Sequence, residues 1–223
     1  MSLKEQDPTG NIENYVQDGL LFLLDGKNKG NVSGAWTSVA GNTYSFTNHG
    51  ATFGTDYVQF DGVDDYLQGS SPGSSVVPSR TAGTVEVVCD FEGSSTGVIF
   101  YPRANNKTCI CFGTTAFYYG VDNTSSRNYY YPLRTLAKAS WSVSSARRYE
   151  NGVSMSLSES KNYVTGVNTS YNLIGKRNNS TTPYFFKGKI YSIRVYTKQL
   201  TQAEVLQNLA VDNARFNLGL TLT

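Results

Sequence analysis

The sequence holds one histidine, two methionines and three cysteines in 223 residues, and its net charge is only +2. Each shortage removes a class of function. With a single imidazole, a histidine-rich metal site cannot be assembled, and any nucleophilic triad would have to use His49 as its base. His49 lies between Asn48 and Gly50 in a polar loop, where a solvated side chain is expected instead. Cys89, Cys109 and Cys111 are odd in number, and Cys109 and Cys111 would share one face of a strand, a poor geometry for a bridge. They are expected as small buried hydrophobes, not as a disulfide framework or a zinc site. The greasiest run, Gly19-Leu-Leu-Phe-Leu-Leu24, is far short of the roughly 20 residues that span a bilayer, and it reads as a buried strand. Met1–Gly10 is polar with no apolar core behind it, so no signal peptide is expected in this chain and no membrane insertion. The charge is weak and evenly spread, with no basic run interleaved with aromatics, which argues against a nucleic-acid partner. No phosphate-binding loop or dinucleotide fingerprint occurs.

What the chain does have is glycine (21), tyrosine (16) and phenylalanine (11). That mixture suits many strands joined by turns. Tyr57-Val-Gln-Phe-Asp-Gly-Val-Asp-Asp-Tyr-Leu67 reads as strand, tight turn, strand, with Asp61-Gly62 as a hairpin turn. Thr84–Glu92 alternates most clearly, Val85, Val87, Cys89 and Phe91 on one side and Thr84, Glu86, Val88, Asp90 and Glu92 on the other. Gly97–Tyr101, Thr108–Gly113, Ala116–Val121, Arg134–Trp141 and Arg147–Glu150 continue the strand pattern, and Asn151-Gly152 turns the chain into Val153–Leu157. Leu173-Ile174-Gly175 and Lys187–Tyr196 close the sheets, while residues 27–50 read as a long polar passage anchored by Trp36. One helix is expected over about residues 202–211, opened by a capping box at Thr201 and Glu204. The predicted organisation is an N-terminal arm (1–15), one all-β, two-sheet antiparallel sandwich (16–216) and a C-terminal tail (217–223).

The order of these signals resembles the concanavalin A-like jelly roll, and within it the laminin G-like domains of bacterial surface and phage-related proteins. The residues that carry the resemblance are Gly19–Asp25, the Trp36 region, Phe60-Asp-Gly-Val-Asp-Asp-Tyr66, Thr84-Val-Glu-Val87, Tyr149-Glu-Asn-Gly-Val153, Ile174-Gly-Lys-Arg177 and Gly188–Tyr196 with the helix start after Leu200. The resemblance implies two curved antiparallel sheets that use loops or a sheet face for ligands, often glycans. It also implies an extracellular, cell-surface or virion-associated setting.

The same superfamily contains retaining glucanases, whose Glu-x-Asp-x-Glu strand places carboxylates on one face to flank a glycosidic bond. Here Asp90 and Glu92 fit, but Val88 stands where the first carboxylate belongs, and Glu86 lies one alternation too far back. The carboxylates are therefore expected on a solvated strand face, and catalysis is not expected. A calcium ion is the one cofactor the residues suggest, with Asp25, Asp61, Asp64 and Asp65 as candidates. Tyr191 occupies the closing-strand position where many relatives are acidic, and Asp61 and Asp64 are also natural turn formers.

Sugar recognition needs exposed rings beside hydrogen-bonding side chains. Two clusters offer them: Tyr129, Tyr130 and Tyr131, and Arg103, Asn105 and Asn106 followed by Tyr118 and Tyr119. The expected function is a non-catalytic module that binds a glycan or polysaccharide. The alternatives are a structural or adhesion domain contacting protein partners in a larger assembly and, third, a glycoside hydrolase.

Overall fold

The computed structural model describes residues 10–30, 34–69, 83–93, 97–101, 108–112, 116–121, 127–132, 138–144, 147–156, 159–162, 172–177 and 184–221, the strands within 101–132 and 159–162 by their backbone alone. Along the chain come β1 (Leu20–Asp25), β2 (Ala35–Thr37), β3 (Ala40–Gly41), β4 (Ser45–His49), β5 (Thr52–Phe53), β6 (Val58–Asp61), β7 (Tyr66–Gly69), β8 (Thr84–Phe91) and β9 (Gly97–Tyr101). Then follow β10 (Thr108–Phe112), β11 (Ala116–Val121), β12 (Arg127–Pro132), β13 (Ala139–Ser144), β14 (Arg148–Glu150), β15 (Val153–Ser154), β16 (Glu159–Asn162), β17 (Asn172–Ile174), β18 (Lys187–Tyr196) and helix α1 (Gln202–Phe216). They form two nine-stranded antiparallel sheets. The first runs β15-β14-β13-β8-β18-β1-β3, with β6 beside β18 and β5 beside β6; the second runs β16-β12-β11-β10-β9-β17-β7-β4-β2. The expected all-β sandwich with one C-terminal helix is the fold observed.

Alternation decides which side chains meet between the sheets. Phe22 and Leu24, Val58 and Phe60, Val85, Val87, Cys89 and Phe91, Ala139, Trp141 and Val143 enter the core from the first sheet. Trp36, Phe46, Leu67, Ile99, Phe100 and Ile174 meet them from the second. Each large apolar side chain removed from water there contributes about 1.5–3 kcal/mol. In β18 the inward set is Ile190, Ile193 and Val195, out of step by one residue, because the pairing with β8 shifts register between Ile190 and Ser192. That bulge turns Tyr191, Ser192 and Arg194 to the outer face.

Three features differ from the pattern read in the sequence. The first is that β6 and β7 do not form a hairpin: β6 pairs with β18 and β5, and β7 with β4 and β17. The Asp61–Asp65 turn is a corner that passes the chain from one sheet to the other. A two-residue turn signal reports a reversal of direction, and it cannot report which sheet the next strand joins. The second is the passage after β1, which carries β2, β3 and β4. Trp36 is fully buried there and its Nε1 donates to the Asp25 carbonyl at 3.0 Å. The third is α1, which runs to Phe216, five residues past the expected end. Val211, Asp212 and Phe216 still face protein, and Asn217 at φ 52° supplies the left-handed cap.

Helix α1 covers the outer face of the first sheet, and this overturns the expectation that Glu86 sits on a solvated strand face. Glu86, Arg194, Asp212 and Asn208 are each 0–2% exposed. Part of the predicted N-terminal arm is docked there too. A 3₁₀ turn at Ile12–Asn14 leads into buried Tyr15, and Val16 N donates to Asn208 Oδ1 at 2.8 Å.

Candidate ligand-binding surfaces

The tyrosines singled out in the sequence lie on two paired strands. β11 and β12 run antiparallel with Phe117 opposite Tyr131, Tyr118 opposite Tyr130 and Tyr119 opposite Tyr129. Neighbouring positions along a strand belong to opposite faces. Successive cross-strand aromatic pairs therefore occupy alternating register positions along the two strands. The strand register thus joins two clusters that are ten residues apart in sequence. Arg103, Asn105 and Asn106 lie outside the described residues.

The acidic turn is a piece of local architecture. Asp61 Oδ1 accepts the backbone N–H of Val63 at 2.8 Å and of Asp64 at 3.3 Å, and Asp65 Oδ2 accepts the N–H of Asp61 at 2.9 Å. Those backbone donors, that of Val63 foremost, hold the Asp61 carboxyl below the usual range, whereas burial pushes Asp65 up. Carboxylate oxygens of Asp61, Asp64 and Asp65 lie within 4.8 Å of one another. Asp25 is not part of this group. It is buried under α1, where Arg215 Nε donates to its Oδ1 at 2.8 Å and Arg215 Nη2 to its Oδ2, and Asn28 N donates to Oδ2 at 2.9 Å. Its charge is already satisfied, so the four-aspartate calcium set proposed from the sequence does not converge. Tyr191 packs against Tyr57 and Phe216, with Lys138 Nζ 4.7 Å from its ring centre.

The glucanase-like strand is disposed in a way its sequence did not reveal. Glu86 accepts from Arg194 Nε at 3.0 Å and from Asn208 Nδ2 at 2.7 Å beneath α1, and burial raises its pKa. Val88 is fully buried, Asp90 is partly exposed, and Glu92 pairs with Lys189 at 3.4 Å. Burial, with Glu92 next, pushes the Asp90 carboxyl up as well. Glu86 is sealed from any substrate by the helix.

A surface that sequence reading did not single out occurs on the outer face of the second sheet. β4 and β7 place His49 opposite Tyr66, and the two rings stack at 4.4 Å with 6° between their planes. His49 thus ends a strand, where a polar loop was expected. Lys176 Nζ lies 4.2 Å from the Tyr66 ring centre and 5.3 Å from that of Phe185, its bridge partner. Arg177 lies 5.7 Å over the ring of Tyr184. Tyr66 and Tyr184 both pack on Val98 and Leu173, which fixes the rings on one patch. His49 is exposed, and Tyr66, Lys176, Arg177, Tyr184 and Phe185 are half-buried. The available signal was the Ile174-Gly-Lys-Arg177 motif, but its neighbours come from strands about 110 residues earlier.

Scanned against known protein families, the sequence matches none, and it matches no curated protein. Solved structures do match in shape. The botulinum neurotoxin serotype D/C binding domain aligns with a TM-score of 0.59 at 8% identity, over 88% of this chain and 52% of that one. The serotype D ligand-binding domain in complex with N-acetylneuraminic acid aligns at 0.57 and 10% identity, over 89% and 52%. A mutant of Trypanosoma rangeli sialidase displaying trans-sialidase activity aligns at 0.56 and 12% identity, over 88% and 33%. The likeness shows a shared β-sandwich fold. The chain spans about half the length of the toxin domains it matches.

Proposed function

We propose that this chain is a non-catalytic binding module that recognises carbohydrate, of laminin G-like type and serving a cell-surface, extracellular or virion-associated protein of bacterial or phage origin. The observation that carries the reading is the run of cross-strand aromatic pairs on β11 and β12, Phe117–Tyr131, Tyr118–Tyr130 and Tyr119–Tyr129. Sugar rings present C–H faces that stack on aromatic rings, and a ladder on a paired sheet presents such rings without the entropy cost of ordering a loop. Matched botulinum neurotoxin structures, of serotype D in complex with N-acetylneuraminic acid and of type C, whose cell entry depends on two ganglioside molecules, lend this reading support at the level of the fold. A hydrolase reading fares worse, because Val88 stands where the first carboxylate of the glucanase-like strand belongs, and Glu86, one alternation too far back, is locked against Arg194 under α1.

The test is a broad glycan-array screen, run with calcium and again with chelator, on the wild-type chain and on Tyr130→Ala. Saccharide binding that falls at least tenfold in the variant, with its tryptophan fluorescence spectrum unchanged, is the expected result. A module that binds no saccharide in either buffer and self-associates or captures protein partners would be a structural or adhesion domain instead. Turnover of a polysaccharide would refute the non-catalytic assignment.

A further inference from the structure

From the cationic aromatic patch on the outer face of the second sheet we infer that the module takes an acidic saccharide, one bearing a carboxylate such as a sialic or uronic acid. The inference rests on the carbohydrate reading above and adds a second contact surface to it, built by His49, Tyr66, Lys176, Arg177, Tyr184 and Phe185.

Three properties of the patch point to that class. Its cations are unspent: among the described residues, neither Lys176 nor Arg177 is paired with a carboxylate, while Lys189, Arg194, Lys198 and Arg215 all are. Lys176 and Arg177 lie instead over rings, which hold a cation in place yet leave its N–H groups directed to other acceptors. The second property is the aromatic stack: His49 is exposed and lies parallel on Tyr66, whose ring is also in contact with the Lys176 ammonium, so His49 offers a flat outer ring and Tyr66 its edge. The third is preorganisation. His49 and Tyr66 stand on paired strands, and Tyr66 and Tyr184 rest on the apolar base of Val98 and Leu173, so little ordering of these rings is needed on binding.

Each alternative ligand would leave part of this arrangement unused. A neutral sugar would use the rings and leave both cations solvated. A bare inorganic anion would use the cations and leave the rings idle. A carboxylated pyranose uses both, its C–H face on the rings and its carboxylate on the guanidinium or ammonium through charge-assisted hydrogen bonds. Of the acidic turn before the patch, Asp61 and Asp64 are exposed, and Asp61 Oδ1 is engaged by the backbone N–H groups of Val63 and Asp64. Asp65 immediately precedes Tyr66 but is only 8% exposed and turned into the corner, where it accepts the Asp61 N–H.

The experiment is a titration of the full chain followed by NMR or calorimetry, with sialyllactose and trigalacturonate as acidic probes and lactose and maltotriose as neutral ones. Inorganic phosphate and a short single-stranded oligonucleotide serve as the other anions. The double variant Lys176→Gln/Arg177→Gln should weaken the acidic sugars about tenfold or more, the loss of a charge-assisted hydrogen bond, and leave thermal unfolding unchanged. Added salt should weaken them in the wild type only. Lys176→Arg, which keeps the charge, should retain most of the wild-type affinity. Equal binding of neutral and acidic sugars, lost in Tyr130→Ala and untouched in the double variant, would overturn the acidic-ligand inference and leave the carbohydrate reading standing. Phosphate or the oligonucleotide binding as well as sialyllactose would overturn it too. No saccharide binding at all would overturn both.

Discussion

Replacing Arg194 should cost more stability than replacing either of its acidic partners, and the order of the three costs follows from the charge count under α1. Arg194 is fully buried with two carboxylates. Its Nη1 and Nη2 donate to Asp212 Oδ1 and Oδ2 at 2.6 and 2.7 Å, and its Nε donates to Glu86 at 3.0 Å. Tyr15 and Ser140 hydroxyls each donate to Asp212 at 2.8 Å, and Asn208 ties Glu86 to the Tyr196 hydroxyl. One cation against two anions leaves a formal excess of one negative charge. Arg194→Met would strand both carboxylates in a dry interface. Removing one member of a buried ionic set typically costs about 3–5 kcal/mol. Asp212→Asn keeps a balanced Arg–Glu pair, but the amide turns a donor toward the guanidinium or the Ser140 hydroxyl, for about 2–3 kcal/mol. Glu86→Gln removes the surplus charge and can still accept from Arg194 and Asn208 through one oxygen, so its cost should be about 1 kcal/mol or less.

Urea unfolding followed by tryptophan fluorescence is the assay, since Trp36 and Trp141 are both buried. A domain of this kind is stable by about 5–15 kcal/mol in total, so Arg194→Met is to be measured at low temperature, with hydrogen exchange of the α1 amides as a second readout. Burial raises the Glu86 pKa above its ordinary 4.5, so only between that value and the raised one does the folded chain hold a proton that the unfolded chain has lost. Stability from this group is therefore fully present below that ordinary value and declines as pH rises through the raised one; Glu86→Gln should flatten the slope. An Arg194→Met variant less perturbed than Glu86→Gln would refute the charge-count reasoning.

Two further predictions concern the ends of elements. Thr201→Ala removes the hydroxyl that accepts the Glu204 N–H and donates to Glu204 Oε2, and should lower unfolding free energy by about 1 kcal/mol in the same urea assay. Asp61→Ala should destabilise the sheet-crossing corner by about 0.5–1 kcal/mol at neutral pH, a figure kept low because the side chain is exposed. The Asp61 pKa is lowered by the Val63 N–H, so its contribution is present above its ordinary value of 3.8 and disappears as pH falls through the lower folded value. A cost that persisted at pH 2 would mean that the carboxylate is not what holds the turn.

Much of the fold was legible because the signals that mark strands are local. The alternation of Val85, Val87, Cys89 and Phe91 survives in β8 as the inward face, and Asn151-Gly152 takes the positive φ angles, 48° and 75°, that its turn demands. The destination of a strand is not a local property. Nothing in Phe60-Asp-Gly-Val-Asp-Asp-Tyr66 distinguishes a hairpin from a corner between sheets, since both need the chain to reverse and both use an aspartate to accept backbone N–H groups. The same limit hid the two surfaces that matter most here. Glu86, Arg194 and Asp212 each look like ordinary polar positions of amphipathic elements, and they become a buried ionic set only because α1 folds back across β8 and β18. A polar residue on the outer side of a strand is exposed only if nothing covers that side, and an amphipathic helix following the last strand was the one available warning. His49, Tyr66 and Lys176 are likewise assembled by pairing β4 with β7 and β7 with β17, so their common surface exists only in the register. The tyrosine ladder sits between these cases. Two aromatic clusters were visible in the sequence, and the antiparallel pairing of β11 with β12 makes them a single element of the sheet.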